Sequence, residues 1–264
     1  MFRLLKLAPP HGWRAVMWEL AIVTIGVLVA LGAQQWAENF SWRGKTRLAT
    51  AAIGGEVGDH YANAVEWRLV QPCLQAQIAQ LQQRLANSGN RLDPAPIYRE
   101  AGLSSYVLRL PSRPFNDAAW QAAIADGVTA HFAPAIRKAL GEQYAQVAAL
   151  DVMSDRNDRD AQRIFSLSRP IELDPSVKFE LMQALDELHG RFAFMDVSSG
   201  QVLGNVNRAG MTPHPTVVEH LLERSGTRKL CIREHLPLRS LKEASTPIDY
   251  FYVPKDISST ASRH

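Results

Sequence analysis

Four side chains in this chain of 264 residues have the types and spacing of metal ligands. Glu56 and His60 stand four apart and Asp186 and His189 three apart, so each pair shares one face of a helix. Carboxylate–imidazole pairs on facing helices are how bundles hold two-metal centres. Two departures weigh against that chemistry: no Glu-x-x-His repeat and no long Glu-rich face accompany the pairs, and solvated surface pairs have the same spacing. His214 and His220, near Glu219 and Glu223, read in the same way as a polar helix face. The acidic stretch from Asp151 to Asp160 places Arg159 where a calcium loop needs a ligand and has no Gly for the turn, so it too reads as a solvated helix face.

The usual catalytic signatures are absent. The chain has no P-loop, no G-x-S-x-G, no H-E-x-x-H, no C-x-x-C and no dinucleotide-binding glycine pattern. No catalytic or cofactor-binding residue is assigned, and no cofactor is expected. Cys73 and Cys231 are the two cysteines. In an oxidising compartment they can join and tie the C-terminal part to the first long helix, contributing about 4–5 kcal/mol less any native strain. Two buried thiols packed as small apolar groups are the alternative, and it stays open here.

Charged residues make up 21% of the chain, and 29 basic against 26 acidic side chains leave a net charge of +3. That composition excludes a disordered chain, a collagen-like repeat and a disulfide-dense miniprotein. It also lacks the dense basic face of a nucleic-acid binder, so no nucleic-acid partner is expected.

The first forty residues are different in kind. Leu20 to Ala37 is a charge-free run of eighteen residues, with Trp13 and Trp18 on one side and Trp36 and Trp42 on the other. Indoles sit at both interfaces of a bilayer in this way, and Trp13 to Trp36 spans about 35 Å as a helix, enough to cross hydrocarbon. A buried soluble helix and a cleaved signal peptide compete with this reading. The second has Arg3, Lys6 and the small residues around Ala30-Leu31-Gly32 in its favour. Against it, Glu19 interrupts the apolar region and the run fades into Gln34-Gln35-Trp36 without a breaker. The expectation is a retained helix over 13–38, preceded by a short tail over 1–12.

Orientation is undecided by charge, because Arg3, Lys6 and Arg14 balance Arg43, Lys45 and Arg47. A lone span with a short basic tail ahead of a large domain behaves as a signal anchor, which puts the domain outside the inner membrane. Glu19 reads as a headgroup-depth side chain that snorkels, or else as a contact with a second membrane helix. Gly26 and Ala30 form a weak small-xxx-small pair that would let a second copy or another membrane partner approach.

Residues 39–257 read as a helical domain, with 258–264 a frayed end. Leu74, Ile78, Leu81 and Leu85 mark one apolar helix face, with Pro72 expected to kink or break the helix. Asn116 or Asp117 caps a helix ending at Gly127, and a longer one follows from Pro134 to about Ser166. Asp174-Pro175 opens a helix to about Gly204, whose inner side carries Met182, Leu185, Phe192, Met195, Ser199 and Val202. Thr216 and Glu219 form a capping box for a short helix stopping near Gly226. Lys229 to Leu236 and Tyr250 to Val253 read as extended. The fold class is all-α: a membrane helix followed by an antiparallel helical bundle with a partly extended C-terminal segment.

The anchor residues Trp18-Glu19-Leu20, Gly26-Val27 through Ala30-Leu31, and Gln34-Gln35-Trp36-Ala37-Glu38 resemble an uncharacterised family of single-pass bacterial membrane proteins. Its members open with a Trp-Glu, Gly-Val, Ala-Leu, Trp-x-Glu anchor followed by a helical domain. Asn116-Asp117-Ala118-Ala119-Trp120-Gln121, closing on Gly127 before the helix around Leu140 to Leu150, is similar to a second feature of that family. The resemblance implies an anchored helical protein and carries over no catalytic residue.

Three functions follow as expectations. The first is a non-enzymatic membrane-anchored domain that binds a partner or an envelope component. The second is a metal-binding or enzymatic bundle using Glu56, His60, Asp186 and His189. The third is a ligand-sensing domain acting through a separate partner.

Overall fold

The computed structural model describes residues 12–99 and 105–248. Arg3 and Lys6, the expected extended stretch Tyr250–Val253 and the end from 258 to 264 lie outside the described residues. In chain order the elements are α1 (Gly12–Asn87), β1 (Arg91–Leu92), β2 (Tyr98–Arg99), β3 (Ser105–Tyr106), α2 (Ala118–Ala125), α3 (Pro134–Ile164), β4 (Ile171–Glu172), α4 (Pro175–Arg208), α5 (Pro215–Arg224), α6 (Gly226–Arg233) and α7 (Leu241–Ala244). The fold is all-α, as the residue pattern predicts. Among the described residues, strand pairing is confined to two short antiparallel ribbons, β1 with β4 and β2 with β3. The chain forms two compact units, one ending at Thr50 and the other beginning at Ala51.

In the first unit α1 carries the apolar run, and its most apolar window is 0% buried within the chain. It is therefore no core helix of this chain, and its length and composition suffice to cross a membrane. Trp13, Trp18 and Trp36 are exposed. The Trp36 ring stacks on Phe40 at 6.0 Å, and the Lys45 ammonium lies 4.7 Å from the centre of the Trp42 ring. The Thr24 hydroxyl donates to the Leu20 carbonyl at 2.8 Å, so this polar group is satisfied inside the helix.

In the second unit the same helix is enclosed by protein. Leu74, Ile78, Leu81 and Leu85 are all buried, on the face their spacing predicts. α4 runs antiparallel to α1: Lys178 donates to the carbonyls of Ala86 and Ser88, Gln82 to Asp186, and Gln75 to the carbonyl of His189. α4 also runs antiparallel to α3, with Arg191 on Asn157 and Asp160 toward one end and Gln146 on Gln201 toward the other. Leu185, Phe192, Met195, Ser199 and Val202 are buried along α4, whereas Met182 is half-buried. Asp174 caps α4 as expected, its Oδ1 accepting from Ser176 and Val177 at 2.8 and 2.9 Å.

Four sequence expectations are corrected. α1 continues through Pro72, so of the kink or break expected there the break does not occur. Proline lacks the N–H that would donate to the Arg68 carbonyl; one residue on, the Leu69 carbonyl accepts a 3.0 Å bond from the backbone N–H of Arg239. α4 passes Gly204 and stops only after Arg208, where Gly210 adopts φ 67° and Met211 N–H returns to the Val206 carbonyl. Thr216 lies inside α5: the N-cap is His214, whose Nδ1 accepts from the Thr216 N–H at 3.4 Å ahead of Pro215. The segment from Lys229, expected extended, is helical to Arg233. The Ser225 hydroxyl caps it at Arg228 N–H, and Thr227, Leu230 and Cys231 face inward at helical spacing.

Beyond α6 the chain returns across α1 and α4. Arg68 donates to the Thr246 carbonyl, and Ile248 N–H donates to Gly200 O at 2.9 Å. A Cβ at Gly200 would stand 2.6 Å from the Ile248 side chain. Gly200→Ala is therefore expected to push this return segment off α4, at a cost of about 1–3 kcal/mol. Urea unfolding together with limited proteolysis of the full chain checks this, and earlier cleavage between residues 236 and 248 is the expected sign.

Candidate functional site

Glu56, His60 and Asn63 form one stripe on α1, spaced four and three apart. The stripe meets the segment Pro114–Asp117 and the start of α2, rather than a second ligand-bearing helix. The Glu56 carboxylate accepts the Tyr144 hydroxyl at 2.6 Å and the backbone N–H groups of Ala119 and Trp120 at 3.3 and 3.4 Å. Those are the second and third residues of α2, so Glu56 fills the capping role that the sequence gives to Asn116 or Asp117. Asp117 occupies the N-cap position at φ −130°, ψ 12° without a side-chain cap, and its carboxylate takes Gln121 Nε2 at 3.0 Å instead.

His60 is 1% exposed. Its Nε2 lies 2.6 Å from the Asn116 carbonyl, which can only accept, so Nε2 carries the proton and Nδ1 is the bare nitrogen. Nδ1 has no hydrogen-bond partner among the described residues. Burial holds the imidazole pKa below its ordinary value, opposed by the Asn116 bond and by Glu56, Asp59 and Asp117. The ring packs against Phe115 at 5.9 Å and meets Tyr144 edge-on at 5.5 Å, while Tyr144 stacks on Trp120 at 5.0 Å with planes 5° apart. Burial and Glu56 together push the Tyr144 hydroxyl pKa far up, so it acts as a donor and not as an acid. Asn63 donates weakly to the Pro114 carbonyl at 3.4 Å, and Arg113 Nε to Glu66 at 3.0 Å. A cleft of about 210 Å³ opens beside this cluster, lined by Glu56, Asp59, Asn63, Arg113 and Leu221 among others.

The second expected pair lies elsewhere. Asp186 accepts from Gln82 Nε2 at 2.6 Å on the exposed side of the α1–α4 seam, and His189 is exposed. Among the described residues no three His, Cys, Asp or Glu side chains converge as metal ligands. The polar atoms of the stripe hold α2 and its preceding loop against α1. Cys73 and Cys231 are joined as a disulfide, fastening α6 to α1, with Gln77 Nε2 3.3 Å from the Cys73 sulfur.

Sequence reading missed Asn63, Glu66, Arg68, Arg113 and Tyr144. The available signal was the set of polar residues interrupting Ile53–Val70, a stretch otherwise rich in residues that belong in a core. No protein-family model matches the chain, and neither does any curated protein or solved structure.

Two outcomes follow. Glu56→Ala removes the cap of α2 and strands the Tyr144 hydroxyl, and should lower stability by about 2–3 kcal/mol in urea unfolding, against about 1 kcal/mol for Tyr144→Phe. Because the folded pKa of His60 lies below its unfolded value, both states are neutral above about pH 6.5. Below that the unfolded chain takes up the proton first, and stability falls until the folded pKa is passed. His60→Gln, which keeps an Nε2 donor but does not titrate, should flatten the dependence of stability on pH between about 7 and 5.

Proposed function

We propose that this chain is a single-pass inner-membrane protein whose helical domain stands outside the membrane and binds a partner or an envelope component. The observation that carries the reading is the charge-free apolar run of α1, none of it buried within the chain, with Trp at both ends. Such a surface of aliphatic side chains is stable in hydrocarbon and an aggregation hazard in water. The Cys73–Cys231 bond supports the extracytoplasmic side, because thiols in the cytosol are kept reduced. Glu56 and His60, occupied as fasteners, favour binding over chemistry at that stripe. The bilayer is the first partner, and a second copy or another membrane helix would meet the anchor near Gly26 and Ala30. With this reading goes membership among the single-pass bacterial proteins whose Trp-Glu anchor the chain resembles.

The test is carbonate extraction of membranes from bacterial cells producing the full chain, followed by protease treatment of intact spheroplasts. The expected outcome is full-length protein in the pellet and digestion of the domain from outside. Release into the carbonate supernatant would contradict the anchor, and protection in intact spheroplasts with cleavage only after lysis would reverse the orientation.

A further inference from the structure

Most of the carboxylates that α1, α3 and α4 turn inward have a partner. Glu56 takes Tyr144, Glu66 takes Arg113, Asp160 takes Arg191, and Asp196 takes Arg239 at 2.5 and 3.0 Å. Asp158 is different. It is half-buried on α3, and no cation or hydrogen-bond donor among the described residues meets its carboxylate. A carboxylate partly withdrawn from water and without a partner among those residues is a favourable place for a cation.

The surroundings indicate what would pair with it. Asp158 opens into a cleft of about 260 Å³ between α3 and the chain that follows β3. Apolar side chains, among them Val107, Leu108 and Leu110, supply much of one wall, and two aromatic rings, Tyr106 and Phe165, also line it. Tyr106 already receives a cation elsewhere: the Arg109 guanidinium lies 4.6 Å from the ring centre. Ser105, Ser112 and Gln162 add neutral oxygens. One carboxylate, two aromatic rings and neutral hydrogen-bond acceptors in a cleft of mixed polar and apolar lining match an organic cation and mismatch an anion.

We propose that this cleft binds a primary ammonium group carried on a small apolar or aromatic body, with the N–H donors on Asp158 and the body against Tyr106 and Phe165. Burial and the neighbouring Asp155 push the Asp158 carboxyl upward, and a bound cation would reverse that shift. The site does not depend on which side of a membrane the domain occupies. Its ammonium can come from a soluble amine or from an ethanolamine headgroup, two sources with the same chemistry.

The experiment uses the full chain in phosphatidylglycerol nanodiscs and calorimetric titration with 2-phenylethylammonium against its neutral counterpart, 2-phenylethanol. Saturable binding of the amine, at least about tenfold tighter than the alcohol, is expected. Asp158→Asn keeps the shape of a half-exposed side chain without a partner and should weaken amine binding by about tenfold or more. Phe165→Leu should weaken it several-fold, and Glu180→Gln, exposed on α4 and outside the cleft, should leave it unchanged. Repeating the titration in nanodiscs containing phosphatidylethanolamine separates the sources: weaker apparent binding through competition identifies the headgroup, and unchanged binding identifies a soluble amine. No saturable amine binding, equal affinity for amine and alcohol, or wild-type affinity in Asp158→Asn overturns the proposal.

Discussion

The second unit is organised around a stretch of helix with no solvent-facing side. Every residue from His60 to Val70 on α1 is buried. A helix enclosed on all sides is apolar all round or brings in polar side chains that find partners in the surrounding chain. This one carries His60, Asn63, Glu66 and Arg68, all less than a tenth exposed; the first three meet the segment Arg113–Asn116 and the fourth meets the C-terminal return. His60 and Asn63 hold the carbonyls of Asn116 and Pro114, Glu66 holds Arg113, and Arg68 holds the Thr246 carbonyl. Burial pulls the Arg68 guanidinium pKa down, and Asp196 opposes that by standing 3.5 Å from its Nε. Breaking any of these pairs leaves a polar group in a core, which costs more than an intact pair contributes.

The same enclosure explains why the C-terminal part is fastened so densely. Pro72 lacks a backbone donor at the edge of the buried stretch, and beside it the Arg239 N–H bonds the Leu69 carbonyl while its guanidinium grips Asp196. The Cys73–Cys231 bond lies next to Pro72 and ties α6 to the same turn. Ser240 and Glu243 then cap α7 reciprocally, and Ala244 is fully buried. Hydrogen bonds, an ion pair and a covalent link thus all act within a few residues of the position where the helix is weakest.

Much of this was legible in the residues. The long apolar run, the all-α class, the Asp174 cap and the Leu74–Leu85 face follow from periodicity and capping chemistry that act locally. Glu56 and His60 were correctly placed on one face, but spacing along a helix says nothing about what that face meets. The partner is a loop and a helix N-terminus some sixty positions away in sequence, as the bonds to Asn116, Ala119 and Trp120 show. The segment from Lys229, read as extended, is the second half of α6. Thr227, Leu230 and Cys231 carry the competing helical period, and their burial prevails. Whether two distant cysteines are bonded is likewise a tertiary fact, invisible to composition.

The central claim is that the chain is built for two solvents, with an apolar helix for lipid and an oxidised helical domain for the aqueous side beyond it. Mass spectrometry after acid quench and alkylation of the full chain, with and without prior reduction, tests it most directly on protein taken from the cell membrane fraction. The account predicts no alkylated cysteine before reduction and two after, on peptides containing Cys73 and Cys231. Two alkylated cysteines without reduction would contradict it, since the domain would then fold and reside in a reducing compartment.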